Sequence, residues 1–149
     1  MMRSGNVIEK KNAATELGKL GDPRPGSYVM EALSDQNALV RSEAAYSLGE
    51  IGLSGASGAL IKLLSDHNKW VRKSSVKALG MIKALDAFDA LIRSLGDEAD
   101  IVRKSAARSL GQLGDRRALP YLEKALDDAS DSVRAAAQEA LKVLKGKTS

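Results

Sequence analysis

The sequence predicts an all-α superhelix, a stack of helical hairpins forming a single domain over 1–149 with about nine helices. Three observations lead there. Alanine and leucine supply 42 of the 149 residues, 22 and 20 respectively, against one Trp, one Phe and three Tyr. That profile suits helices and not a β-sandwich or barrel. The chain also repeats itself with a step of 31: Val-Arg stands at Val40-Arg41, Val71-Arg72, Val102-Arg103 and Val133-Arg134, and Leu-Gly at Leu17-Gly18, Leu48-Gly49, Leu79-Gly80 and Leu110-Gly111. A fixed period of this length is the signature of a repeat array. Finally, apolar residues recur at helical spacing, first in a short segment and then in a longer one, within each period.

The elements follow in order. A lone helix is expected over 6–20, then repeats over about 22–52, 53–83, 84–114 and 115–146. Each repeat pairs a short helix A with a longer helix B. The A helices are expected over 25–34, 56–65, 86–96 and 117–127, and the B helices over 38–52, 69–83, 100–113 and 131–146. Asp22-Pro23 offers an N-cap followed by proline at the first helical position, while Asn37, Asn68 and Ser130 are good caps for B helices. Val71, Ser75, Ala78, Leu79 and Ile82 form a buried stripe.

Each glycine inside a B helix costs roughly 1 kcal/mol of helix propensity, so it persists only where a neighbouring helix must come close. In the last helix that glycine becomes Lys142, Gly114's counterpart becomes Lys145, and Gln138 takes the place of Ala45, Val76 and Ala107. A polar outer face is what an end repeat needs, and the array is expected to stop there. At the other end Glu9-Lys10 replaces Val-Arg, with Met1, Met2, Val7 and Ile8 close by. An open cap, hence a monomer, is the expectation; a dimer through the N-terminal helix is the alternative.

Gly114-Asp115-Arg116-Arg117-Ala118-Leu119-Pro120, then Leu122, Leu126-Asp127-Asp128 and Val133 to Ala137, resemble the short HEAT-like repeats first named from phycobilin lyase subunits. Gly21-Asp22-Pro23-Arg24 is similar, and the resemblance runs from about Asn6 to Leu144. It implies a right-handed α-α solenoid with the B helices on the concave surface. The family includes scaffolds, lyase subunits, a diiron hydroxylase and designed binding arrays. TPR and ankyrin repeats, with periods of roughly 34 and 33, do not fit.

Catalysis finds little material. Without cysteine there is no disulfide, thiol nucleophile or Cys-based zinc site. His67 is the only histidine, so the repeated His-Glu pairs of a diiron hydroxylase are missing and no metal centre is expected. Gly52 to Gly58 resembles a phosphate loop but lacks a following Gly-Lys-Ser/Thr. Asp35, Asp66, Asp97 and Asp128 each stand six residues before an arginine (Arg41, Arg72, Arg103, Arg134). A residue recurring in every repeat reads as structure, with the carboxylates capping B helices and the guanidiniums bridging along the array. No apolar run reaches the roughly 18–20 residues of a membrane span and no signal-peptide pattern opens the chain, so a cytoplasmic protein with no cofactor is expected.

The face of the B helices opposite the buried stripe carries the functional expectation. It comprises Lys69, Trp70, Lys73, Ser74, Lys77 and Met81, flanked by Leu39, Ser42, Glu43, Tyr46 and Glu50 on one side. On the other side stand Ile101, Lys104, Ser105, Arg108 and Gln112, then Ser132, Ala135, Ala136, Glu139 and Val143. Between His67 and Leu85 there are five basic residues (Lys69, Arg72, Lys73, Lys77, Lys83) and no acidic one. Exposed aromatics beside charges are the usual composition of an interface.

A non-catalytic scaffold is therefore expected, binding an acidic or mixed-charge peptide or protein through Tyr46, Lys69, Trp70, Lys73, Lys77, Met81, Ile101, Lys104 and Arg108. Two alternatives stand beside it. In a lyase-like subunit, implied by the resemblance, the basic groups would pair with bilin propionates. In nucleic-acid binding, Lys69, Lys73, Lys77, Lys104 and Arg108 would neutralise phosphates, although the flanking acids oppose a duplex running along the groove.

Overall fold

The computed structural model describes residues 26–52 and 54–146. Among them run eight helices and no strand: α1 (Gly26–Ala32), α2 (Ala38–Ile51), α3 (Ser57–Lys62), α4 (Lys69–Met81), α5 (Phe88–Ser94), α6 (Asp100–Leu113), α7 (Leu119–Ala125) and α8 (Asp131–Gly146). Odd numbers are A helices and even numbers are B helices. The expected helix over 6–20, the Asp22-Pro23 cap and the alternative dimer contact lie outside the described residues.

The B helices keep their expected bounds closely, whereas the A helices are shorter. Single 3-10 turns occupy Ser54–Ala56, Leu63–Ser65, Leu85–Ala87 and Arg116–Ala118, taking residues expected in A helices. Such turns bridge a sharp change of direction with i→i+3 hydrogen bonds, as from Ala118 N to Asp115 O at 3.1 Å. The three turns that follow B helices are each preceded by a left-handed residue: Gly52 at φ 74°, Gly114 at φ 79°, and in the same register Lys83 at φ 52°.

Packing follows the period. Val29, Leu60, Leu91 and Leu122 form one fully buried row along the A helices, and Leu48, Leu79 and Leu110 form another along the B helices. Consecutive B helices pack together along their length, while each A helix packs chiefly on its own B helix. The B helices thus form the more closely packed side of the stack. The interior glycines set the tight spacing. A Cβ on Gly49 would fall 2.9 Å from Ala78 Cα, one on Gly80 2.6 Å from Ser109 Oγ, and one on Gly111 3.2 Å from Ala140 Cα. At the last B helix, Gln138, Lys142 and Lys145 are exposed, giving α8 the polar outer face the sequence indicates.

The buried arc of an interior B helix is wider than one stripe, because neighbours flank it on both sides. Arg72, Val76 and Gly80 join Val71, Ser75, Ala78 and Leu79 in the buried set, while Ile82 is only partly buried.

The Asp–Arg series builds a ladder along the turn edge. Arg41 Nε and Nη2 donate to Asp66 Oδ2 and Oδ1 at 2.9 and 3.2 Å. Arg72 holds Asp97 the same way at 2.9 and 3.1 Å, and Arg103 holds Asp128 at 2.9 and 3.1 Å. Each of these arginines also donates through Nη1, at 2.8 Å, to the carbonyl of the aspartate six residues before it. Guanidinium matches carboxylate in this forked geometry, so every rung fixes the angle between adjacent repeats as well as holding them together.

The carboxylates sit two residues outside the cap position expected of them. Oδ1 of Asp35, Asp66, Asp97 and Asp128 accepts at 2.9 Å from the backbone N–H two residues on. The caps themselves are Asn37, accepting from Leu39 N, and Asn68, accepting from Trp70 N and Val71 N. Ser130 turns its hydroxyl toward Asp100 Oδ2, at 3.3 Å, and Ser132. Arg134, at the last rung, pairs with Asp131 in its own helix.

Burial works to raise the pKa of Asp66, but the Arg41 hydrogen bond, the Asn68 N–H and the Arg41 charge outweigh it and hold the carboxyl below its ordinary value. The Arg103 hydrogen bond does the same for Asp128. Hydrogen bonds to Asp97 and Asp128 raise Arg72 and Arg103 respectively.

Candidate functional site

Register lays the exposed face of the B helices out as a grid. Leu39, Trp70, Ile101 and Ser132 form the first row, at the N-terminal ends of α2, α4, α6 and α8. Ser42, Lys73, Lys104 and Ala135 follow one turn deeper, then Tyr46, Lys77, Arg108 and Glu139, then Glu50, Met81, Gln112 and Val143. An apolar edge therefore borders a block of four cations: Lys73 and Lys77 on α4, Lys104 and Arg108 on α6.

Trp70 and Arg72 are two residues apart, about 200° around the helix, and this separates their roles. Trp70 is 51% exposed and Leu39 beside it 46% exposed, while Arg72 is turned into the ladder and buried. Of the five basic residues between His67 and Leu85, Arg72 thus leaves the exposed face. Lys69, Lys73 and Lys77 stay on it, and their ammonium groups rest over rings. Lys69 Nζ and Lys73 Nζ lie 5.6 and 5.9 Å from the Trp70 ring centroid, and Lys77 Nζ lies 5.1 Å from that of Tyr46. Cation–π contacts at exposed sites contribute about 0.5–1 kcal/mol. Among the described residues, none of Lys69, Lys73, Lys77, Lys104 and Arg108 forms a salt bridge.

Tyr46, Trp70, Lys73 and Lys77 come together in one cleft of about 300 Å³ between α2 and α4, completed by Ser42, Glu43 and Ser74. Ser42 and Ser74 meet across its floor at 2.6 Å, tying the two helices. Lys69 covers the outer side of Trp70. Lys104 and Arg108 line the next helix. Two of the expected binding residues also take part in packing. Ile101 is partly buried against the core, and Met81 Sδ would lie only 3.1 Å from a Cβ on Gly49, so Met81 fills the gap that glycine leaves. Ser105 and Ala136, read as exposed in sequence, are buried at 8% and 4% exposure. Their register position lies at the border of the arc the adjacent B helix covers. Ser42, Glu43 and Ser74 join the cleft although they were not singled out as binding residues; their helical spacing from Tyr46 and Trp70 was the available signal.

His67 is exposed at the turn, its Nδ1 3.9 Å from Asp66 Oδ1. No cluster of three or more His, Cys, Asp or Glu side chains suited to a metal ion occurs among the described residues. No described helix is long and apolar enough to cross a membrane.

Residues 1–73 and 57–142 match the family of HEAT repeats. No curated protein matches the chain. Among solved structures, a chain of the complex of CpcE and CpcF of phycocyanin lyase from Nostoc sp. PCC7120 is 25% identical, with a TM-score of 0.83 over 97% of this chain. This chain spans 62% of the length of that one. A designed armadillo repeat protein in complex with the peptide (KR)4 is 24% identical over 93% of this chain and 73% of its own, with a TM-score of 0.74. Human deoxyhypusine hydroxylase, in complex with glycerol, is 17% identical over 96% of this chain and 81% of its own, with a TM-score of 0.51. These last two likenesses concern the fold alone. Period, ladder and family match converge, and the chain belongs to the HEAT-repeat family, in the short-repeat form seen in the phycobilin lyase subunits.

Proposed function

We propose that this chain is a non-catalytic scaffold whose concave B-helix face binds an acidic or mixed-charge segment of a protein partner. The observation that supports it most is the state of the cations. Arg41, Arg72 and Arg103 are each matched to a carboxylate, whereas Lys69, Lys73 and Lys77 rest over Trp70 and Tyr46, and Lys104 and Arg108 stand in register on the next B helix, all five without a salt bridge among the described residues. A solvated face without a ligand has no need of grouping its cations with its few aromatics, while interfaces draw on Trp, Tyr and Arg. Glu50 and Glu139 at the two ends limit the positive stretch to a short segment, which suits a peptide better than a duplex.

The test is calorimetric titration of the chain with acidic and basic peptides of equal length. Binding confined to the acidic peptide and abolished by Trp70→Ala and Lys73→Glu is expected. Binding of DNA or RNA instead, with affinity falling steeply as salt is added, would replace this reading with a nucleic-acid one.

A second reading is favoured by the likeness to a phycocyanin lyase chain. In it the chain works as one subunit of a lyase-like enzyme, the same lysines pairing with the propionates of a bilin. With no cysteine it is not the thiol acceptor. Mixing the chain with a bilin and an acceptor protein tests this, and failure to retain any chromophore would remove it.

A further inference from the structure

The lysines that would attract an acidic segment also cover the ring that would hold an apolar side chain. Lys69 and Lys73 both lie over Trp70, and Lys77 lies over Tyr46 across the same cleft. Trp70 is half exposed, yet an apolar group reaching its face has to displace ammonium groups held there by the ring's quadrupole. A carboxylate gives an ammonium a charge-assisted hydrogen bond, stronger than its contact with an exposed ring. Leu39 borders Trp70 in the apolar row, so a ring freed of its lysines joins a continuous apolar strip along the N-terminal edge of the groove.

We propose that the Tyr46–Trp70 cleft reads two chemistries of one peptide segment together: carboxylates that draw Lys69 and Lys73 off the Trp70 ring, and a neighbouring large apolar side chain that then packs on it. The inference rests on the peptide-binding reading above and refines its partner, from any acidic segment to an acidic segment carrying an apolar residue toward the Trp70–Leu39 edge. Its consequence is an AND condition. The acid without the apolar residue leaves the ring unused, and the apolar residue without the acid meets a ring that is already capped.

Four synthetic peptides test it against the full chain: phenylalanine flanked by aspartates, the same with Phe replaced by alanine, the same with the aspartates replaced by asparagine, and both changes together. Trp70 is the sole tryptophan, so its emission reports ring coverage directly. The expected result is that Phe contributes about tenfold in affinity, with a blue shift of Trp70, when the aspartates are present, and little when they are asparagine. In a Lys69→Ala/Lys73→Ala chain, its fold checked by circular dichroism, the contribution of Phe becomes the same in both peptide backgrounds. Equal contributions of Phe in the wild-type chain with and without aspartates would overturn the coupling. So would acidic peptides that bind with no effect of Phe, an outcome that leaves the peptide-binding reading standing. Failure of every acidic peptide to bind would overturn both.

Discussion

The two sides of each B helix's first turn obey opposite rules. On the turn edge, every interior repeat places an arginine fork on the next repeat's aspartate with nearly identical distances, 2.9 and 3.1–3.2 Å, from Arg41 to Arg103. About 200° around the same helices, the first exposed row reads Leu39, Trp70, Ile101, Ser132, with no two alike. Regular spacing of repeats needs the same contact at each junction, so the ladder is periodic. The opposite face is not periodic, as the proposed recognition of one partner would require. Periodicity thus separates the contacts that hold this array together from the exposed face proposed to bind, and it separates even adjacent cations: Arg72 belongs to the ladder and Lys73 to the exposed face.

Mutations can break or sharpen that contrast. The largest stability loss is expected for Arg72→Ala, which strands the nearly buried carboxylate of Asp97 and the carbonyl of Asp66. Removing one partner of such a pair should cost roughly 2–4 kcal/mol, read as a lowered midpoint in urea unfolding. Arg72→Lys should recover only part of it, since an ammonium cannot make the fork. Next comes Gly49→Ala. The better helix propensity of alanine is outweighed by a Cβ 2.9 Å from backbone at Ala78, giving a net loss of about 1–3 kcal/mol by the same measurement.

The ladder should also show in acid. Asp66 and Asp128 have folded-state pKa values below the ordinary 3.8, so the folded chain binds fewer protons than the unfolded one. Their contribution is fully present above pH 3.8 and is lost as the pH falls below it through the depressed values. Circular dichroism during acid titration should find stability falling in that window, with a smaller fall in Asp66→Asn or Asp128→Asn.

A smaller change, of opposite sign, is expected at Lys83. It holds φ 52° where Gly52 and Gly114 stand in register, so Lys83→Gly should stabilise the chain by about 0.5–1 kcal/mol and leave peptide binding unchanged. On the other face, Lys73→Glu should shift unfolding by about 0.5–1 kcal/mol and Trp70→Ala by about 1–2 kcal/mol, the sizes of the one and two exposed cation–π contacts they remove, while both abolish binding. A large stability loss in either would place those residues with the ladder and dissolve the contrast.

Much of this was legible without coordinates, because repetition converts single residues into a register. The bounds of the B helices, the close approach at Gly80 and the polar face of α8 follow from comparing each repeat with its neighbours. Errors arose where the outcome depended on the packed angle between helices. Ser105 and Ala136 read as exposed, yet the adjacent helix reaches just far enough to cover them.

The sequence by itself determined the 31-residue period, the order of the hairpins, the buried stripe of the B helices and the face opposite it, since all of these follow from residue spacing along a helix of known pitch. Tertiary structure alone decided which cation pairs with which carboxylate. Arg72 reaches Asp97, 25 residues ahead, while Lys73 turns to a ring three residues behind it. The physical reason is that a guanidinium fork finds its carboxylate only once two repeats have stacked at the spacing their glycines permit. The same stacking leaves Lys69, Lys73 and Lys77 over Trp70 and Tyr46, in no salt bridge among the described residues.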